Sequence, residues 1–209
     1  MRTVTSSSSP GRSPAGSHLY LITPVRPDLR GLLEAAIAGG VDIVQVRERG
    51  LKDAALLEAL VVAREVTGRH DVPLVVNDRP DLAVLCEADL VHVGHEDIPV
   101  TEARRFGVGV GFSTHAPSEI DAADAGYIGV GPVYATPTKE GRPPVGLELV
   151  EYAAKHARQP WFAIGGIDEH TAPAVVAAGA TRLSVLRAIV DAPDPERAAR
   201  SIRAALTGV

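Results

Sequence analysis

Seven short segments carry side chains and glycines of the kinds that bind phosphate and divalent metal. Gln45-Val46-Arg47-Glu48-Arg49 places Gln45, Arg47 and Arg49 two residues apart, so an extended backbone turns all three to one side. Asn77-Asp78 and His95-Glu96-Asp97 each contribute an aspartate, a hard oxygen ligand. Mg2+ is typically held by one or two carboxylates together with substrate phosphates, and Asp78 with Asp97 supplies such a pair. Arg47, Arg49 and Lys139 suit phosphate oxygens, arginine being able to engage two at once. Ser113-Thr114-His115 and Thr136-Pro137-Thr138-Lys139 add hydroxyls, and Gly165-Gly166 would turn backbone N–H groups toward an anion shortly before Leu186-Arg187. The chemistry these types suggest is metal-assisted handling of a phosphorylated small molecule.

Each segment also has a plain structural reading. Asp78-Arg79 can serve as a helix cap. Arg47-Glu48-Arg49 can be a solvated run of charge, Gly165-Gly166 a tight turn, and Thr136 and Thr138 ordinary loop residues. His92 reads as a core or strand neighbour, and His95 and His115 as loop hydrogen-bonding residues. Cys86 reads as a small buried hydrophobe. A shared location is what separates the two sets of readings, and that location depends on the elements between the segments.

Apolar, β-branched runs cover 19–23, 43–47, 74–77, 90–93, 108–112, 127–130, 161–164 and 183–185. Stretches with helical spacing lie at 29–38, 53–67, 79–86, 101–105, 117–123, 147–157, 171–178 and 195–206. Continuous apolar runs are the pattern of parallel strands covered on both faces, and their alternation with helices implies right-handed βαβ units. Eight such units close into a single compact (β/α)8 barrel, an α/β fold of the TIM type. A doubly wound sheet would carry a glycine fingerprint after its first strand, but here that strand ends in Thr23-Pro24. In a barrel, residues following the strands gather on the C-terminal rim, so all seven segments belong to one place.

Of the 209 residues, the first 17 are rich in Ser, Pro and Gly and predict a disordered tail (1–17) before a barrel over 18–209. The tail has no apolar core of a secretory signal. Lys and Arg total 21 against 26 Asp and Glu, a net charge of −5, which argues against a nucleic-acid binder. No apolar run nears the ~20 residues of a membrane span. Cys86 is the lone cysteine, so an internal disulfide is excluded and a reducing, cytoplasmic setting is expected.

Taken in order, VQVRERG, VNDRPDLAVLCEADLVHVGHEDIP, GFSTH, YIGVGPVYATPTK and FAIGGI resemble the thiamine phosphate synthase family, over nearly all of 19–206. The resemblance implies a Mg2+-assisted transferase of thiamine biosynthesis. It would join 4-amino-5-hydroxymethyl-2-methylpyrimidine diphosphate to hydroxyethylthiazole phosphate, releasing pyrophosphate by a dissociative route. By the same resemblance Gln45 would contact the pyrimidine, and Arg47, Asn77 and Lys139 would grip the diphosphate, with Arg49 beside them. Asp78 and Asp97 would hold Mg2+. Ser113 would assist the departing group, making Arg47, Ser113 and Lys139 the residues closest to catalysis. Thr136, Thr138, Gly166 and the Leu186-Arg187 backbone would receive the thiazole phosphate. The chain departs from the family pattern at Arg49 (usually Lys), His95 (often Gln) and Arg187 (commonly Ser).

The implied partners are small-molecule substrates, without nucleic acid or membrane, and a homo-oligomer is left open. Three rival readings are weighed. A thiazole tautomerase of the same superfamily would use His115 as proton shuttle, but such relatives tend to lack the paired aspartates and the Thr-x-Thr-Lys loop. A Schiff-base aldolase would require Lys139 to be desolvated, whereas its neighbours are polar, Pro and Gly. A non-catalytic ligand-binding barrel leaves the aspartate pair unexplained.

Overall fold

Eight parallel strands pair in chain order and the eighth closes on the first. They are β1 (Leu19–Thr23), β2 (Ile43–Val46), β3 (Leu74–Asn77), β4 (Leu90–Val93), β5 (Gly109–Thr114), β6 (Tyr127–Val130), β7 (Trp161–Ile164) and β8 (Leu183–Val185). The computed structural model describes residues 12–136 and 143–207. Around the barrel run α1 (Leu29–Ala38), α2 (Asp53–Arg69), α3 (Pro80–Leu85), α4 (Val100–Ala103), α5 (Pro117–Ala122), α6 (Gly146–His156), α7 (Ala172–Ala177), α8 (Arg187–Val190) and α9 (Pro195–Thr207). The fold is the (β/α)8 barrel that the alternating pattern implies. Among the described residues no helix is long and apolar enough to cross a membrane.

The continuous apolar strands follow from burial on two sides. One set of side chains, including Leu21, Val44, Val76 and Val91, packs outward under the helices. The alternate set, Tyr20, Ile22, Ile43, Val75, Leu90, Tyr127 and Phe162, fills the barrel. Helix ends are set locally: Asp194 caps α9 by accepting the Arg197 N–H at 3.0 Å, with Pro195 at the first helical position.

Three differences from the sequence pattern matter. β5 runs on to Thr114, because Ser113 and Thr114 pair with Gly129 and Val130 of β6. Ser113 is therefore a strand residue, and its alternation with the fully buried Thr114 separates their faces. Secondly, α8 is a four-residue helix directly after β8, too short to leave a periodic signal.

The third difference is a correction: the expected tail through Ser17 is too long. Residues 12–17 pack on the N-terminal end of the barrel, with a 3₁₀ turn at Pro14–Gly16 and with Pro14 and Ser17 buried. Ser, Pro and Gly offer little apolar area, but the barrel supplies polar partners instead. Arg182 donates to the Ala15 and Ser17 carbonyls at 2.8 and 3.1 Å. Asp89 accepts the Arg12 N–H at 2.9 Å, and the Ser17 hydroxyl donates to the Asp42 carbonyl at 2.9 Å. The rest of the expected tail, residues 1–11, lies outside the described residues.

Gly111 of β5 lies in a tight part of the interior. A Cβ there would lie 2.1 Å from Cζ of the fully buried Tyr127. Gly111→Ala must therefore push the ring aside, an overpacking cost of about 1–3 kcal/mol. The expected outcome is a thermal midpoint about 2–12 °C lower by circular dichroism, at ~2–4 °C per kcal/mol for a chain of this size. An unchanged midpoint would show that the ring has room the structure denies it.

Candidate functional site

The strand ends deliver the polar segments to one rim, as a parallel barrel requires. A cavity of about 340 Å³ opens there, with Ile22, Arg47, Thr136, Ser184 and Arg187 among its walls and the Gly165-Gly166 turn along one side. Both glycines lie in the left-handed region, at φ 106° and 65°. A Cβ on Gly165 would come within 2.5 Å of Pro132 Cα, and one on Gly166 within 2.7 Å of Tyr134 Cβ. The turn thus lies flat against the segment after β6, which glycine alone permits. Ser184 of β8 is 2% exposed, and its hydroxyl has no hydrogen-bond partner among the described residues. Leu186 and Arg187 complete this wall at the start of α8. Thr136 reaches the cavity, whereas Thr138 and Lys139 lie outside the described residues.

Next to this cavity sit the acidic residues. Asp78 follows β3 with φ 61°, a conformation Asp tolerates better than most residues, and its N–H donates to the His92 carbonyl at 2.8 Å. Asp97 is oriented by accepting the Gly94 N–H at 2.8 Å. The two carboxyls are within hydrogen-bonding reach of each other. Burial, then the neighbouring Asp97, raises the Asp78 carboxyl above its ordinary value, and Arg49 partly offsets this from 3.4 Å. Arg47 mirrors the situation. Burial and then Arg49 lower its guanidinium, opposed by Asp78 and Asp97.

The helix-cap reading of Asp78-Arg79 does not describe this arrangement. Arg79 stands at the cap position of α3 without a side-chain cap bond, and its guanidinium pairs with Asp53 and Asp81, each at 2.7 Å. Among the described residues no group of three His, Cys, Asp or Glu side chains could hold a metal unaided. Two carboxylates that need oxygens from a ligand or water to complete a shell form a donor set suited to Mg2+.

Gln45, Asn77 and Ser113 face the barrel interior beneath this rim. Gln45 is buried and its Nε2 donates to the Tyr20 hydroxyl at 2.6 Å. Asn77 is buried too, and its Nδ2 has no partner among the described residues. The Ser113 hydroxyl lies 3.0 Å from Nε2 of His92. Arg47, Asp78, Asp97 and the glycine turn therefore share the rim, while Gln45, Asn77 and Ser113 form its floor. Arg49 is largely exposed, at 65% of its side chain, and reaches Asp78 at 3.4 Å, whereas Gln45 is buried. His95 and His115 are held by neighbours: Glu119 Oε2 of α5 takes His95 Nε2 at 3.1 Å and the His115 N–H at 2.6 Å, and His115 Nδ1 meets the Gly131 carbonyl.

Sequence reasoning passed over Tyr20, Tyr127 and Ser184. All three lie in apolar strand runs and share interior parity with Gln45 and His92, a period-two signal that marks their face but not their partners.

Residues 19–189 match the thiamine monophosphate synthase family. The chain is 47% identical to a thiamine-phosphate synthase of Arthrobacter, covering 91% of this chain and 94% of that one. It is 48% identical to a thiamine-phosphate synthase of Thermus thermophilus, covering 91% and 98%. A third, from Gloeobacter violaceus, is 49% identical over 88% of this chain, which spans 55% of that longer protein. Among solved structures, a thiamine phosphate pyrophosphorylase from Pyrococcus furiosus superposes with a TM-score of 0.85 at 28% identity, covering 92% and 96% of the two chains. A barrel with this rim, matched over nearly its whole length by such relatives, belongs to the thiamine monophosphate synthase family.

Proposed function

We propose that this chain is a thiamine-phosphate synthase that joins 4-amino-5-hydroxymethyl-2-methylpyrimidine diphosphate to a hydroxyethylthiazole phosphate. The bond from the pyrimidine methylene to the diphosphate oxygen breaks, the methylene bonds to the thiazole nitrogen, and pyrophosphate leaves. The reading is carried by the Asp78–Asp97 carboxyl pair beside Arg47, on the same rim as a cavity walled by the Gly165-Gly166 turn. It is supported by family membership and by curated relatives that carry this name.

Each residue then has a task. Gln45 orients the pyrimidine from the floor, and Asn77 Nδ2, which has no partner among the described residues, is placed to donate to a diphosphate oxygen. Arg47 and Arg49 set positive charge where pyrophosphate accumulates negative charge, within a protein of net charge −5. Ser113 hydrogen-bonds the departing group. Asp78 and Asp97 hold Mg2+, which when bound neutralises diphosphate charge and so improves the leaving group. Gly166, the Leu186-Arg187 backbone, Thr136 and Thr138 seat the thiazole phosphate, and Lys139 adds a cation to the diphosphate. No side chain has to remove a proton before the bond breaks, so positioning and charge neutralisation suffice.

The full chain supplied with both substrates and Mg2+ is expected to release pyrophosphate and form thiamine phosphate, and EDTA is expected to stop it. Turnover that survives EDTA removes the metal from the scheme. Asp97→Ala is expected to lower kcat/KM at least ~100-fold while the circular dichroism spectrum stays native. Wild-type rates in that variant would remove Asp97 from the metal pair.

Asp78 gives a prediction of opposite sign for stability and activity. Its carboxyl titrates above the ordinary value in the metal-free fold, so the fold favours its protonated form more than the unfolded chain does. That contribution is fully present at low pH and is lost as pH rises through the raised value. Asp78→Asn keeps a neutral group in a residue type that tolerates φ 61°. In metal-free buffer at pH 7 it is expected to melt at or above the wild-type temperature, and in the assay with Mg2+ and both substrates to lose synthase activity. A variant that melts lower and stays active would contradict both roles.

A further inference from the structure

A line of hydrogen bonds crosses the barrel interior from Gln45 to Ser113. Gln45 Nε2 lies 2.6 Å from the Tyr20 hydroxyl, which lies 2.9 Å from the Tyr127 hydroxyl. Tyr127 in turn lies 3.0 Å from His92 Nδ1, and His92 Nε2 lies 3.0 Å from Ser113 Oγ. We propose that Tyr20, Tyr127 and His92 are positioning residues of a one-way hydrogen-bond chain that ties the amide orientation of Gln45 to the donor sense of the Ser113 hydroxyl.

The direction follows from proton counting. An amide nitrogen only donates, and a tyrosine hydroxyl has one proton. With Gln45 donating, Tyr20 gives its proton to Tyr127, and Tyr127 gives its own to His92 Nδ1. Neutral His92 then carries its proton on Nε2 and donates it to Ser113 Oγ. The Ser113 proton is left for the site, where a diphosphate oxygen can only accept. Turning the Gln45 amide over would reverse every link and present Ser113 lone pairs to that anion. Mixed arrangements leave two protons or two lone pairs facing each other in a buried space, which is costly. Burial raises both tyrosine hydroxyls, so each keeps the proton the chain needs.

The consequence, which rests on the proposed reaction, is coupled specificity. With Nε2 committed to Tyr20, Gln45 offers its carbonyl oxygen to an exocyclic amino group. A pyrimidine bearing an oxo group at that position would demand the opposite amide orientation and set Ser113 against the leaving group. The chain thus lets the ring's amino group be sensed at the diphosphate.

The test reads the His92 tautomer by 15N NMR of the full chain with labelled histidine. The expected result is a proton on Nε2 and a bare Nδ1 in the wild type, and a mixture of tautomers in Tyr127→Phe. A wild-type proton on Nδ1, or an unchanged tautomer in Tyr127→Phe, overturns the proposal. Kinetics give an independent reading: Tyr20→Phe and Tyr127→Phe are each expected to lower kcat about tenfold, a hydrogen bond's worth, with KM for the thiazole phosphate unchanged. The double variant is expected to lose less than about twofold more than either single one. Losses that multiply to about a hundredfold overturn the chain. Both substitutions remove one oxygen and keep the ring, and the wild-type tautomer needs no variant to fold. It also needs no turnover, so a wild-type protein inactive on both substrates would overturn the proposed reaction and leave the tautomer result to judge the chain alone.

Discussion

An eight-stranded barrel is just wide enough to be filled by its own side chains, and what fills it determines how firmly the rim is held. Here the interior is built around three aromatic rings, Tyr20, Tyr127 and Phe162, in edge-to-face contact at centroid separations of 5.1 to 6.0 Å. Such contacts fix ring orientation as well as volume. Two of the rings bring hydroxyls into a buried space, where an unpaired hydroxyl is costly. They are satisfied by each other, by Gln45 and by His92. The same residues therefore pack the barrel and orient the floor of the site. Gly111 belongs to this arrangement, since only a missing Cβ lets Tyr127 lie against β5.

The rim works by the opposite principle. The Tyr20–Tyr127 centre of the interior pairs its hydroxyls with neighbouring donors and acceptors, while the rim sets like beside like: Asp78 against Asp97, and Arg47 in the field of Arg49. Cross-attraction between the two sets only partly offsets these repulsions. Asp78 also holds a left-handed backbone conformation, and strain of this kind costs of order 1–3 kcal/mol. A fold keeps such a group only where the surroundings over-determine it. The β3 ladder ends at Asn77, and the Asp78 N–H is tied to the His92 carbonyl, so the main chain is held from the neighbouring strand. The chemistry needs charge in place before the ligand arrives, and the rigid interior makes that feasible.

This division explains what could be read in the sequence. The strands were legible because both of their faces are buried and their apolar runs are unbroken, and that placed Arg47, Asp78, Asp97 and Gly166 at the strand ends. Long-range pairing was not legible. Tyr20 and Tyr127 are 107 residues apart, and each looks like ordinary core because it is core as well as hydrogen-bonding partner. The apolar run at 108–112 stops short of Ser113, because a polar residue breaks the apolar pattern, yet its pairing with Gly129 keeps it in β5. The ordered part of the N-terminal segment was missed for a related reason. Its own composition offers nothing to bury, and the hydrogen bonds that hold it come from Arg182, Asp42 and Asp89, which lie far along the chain.

Two polar atoms stand apart from an interior otherwise well satisfied. Asn77 Nδ2 and Ser184 Oγ are buried without partners among the described residues, one beside the carboxyl pair and the other in the cavity wall. Each such group costs about 1–3 kcal/mol while it is unmet. Their positions, at the two places where phosphate groups are proposed to sit, give that cost a direction. A ligand supplying acceptors at both recovers it, and a ligand of similar shape that lacks one does not, so the penalty in the empty protein becomes discrimination in the bound one. The packed interior enforces that discrimination, because neither side chain can swing toward water to escape it.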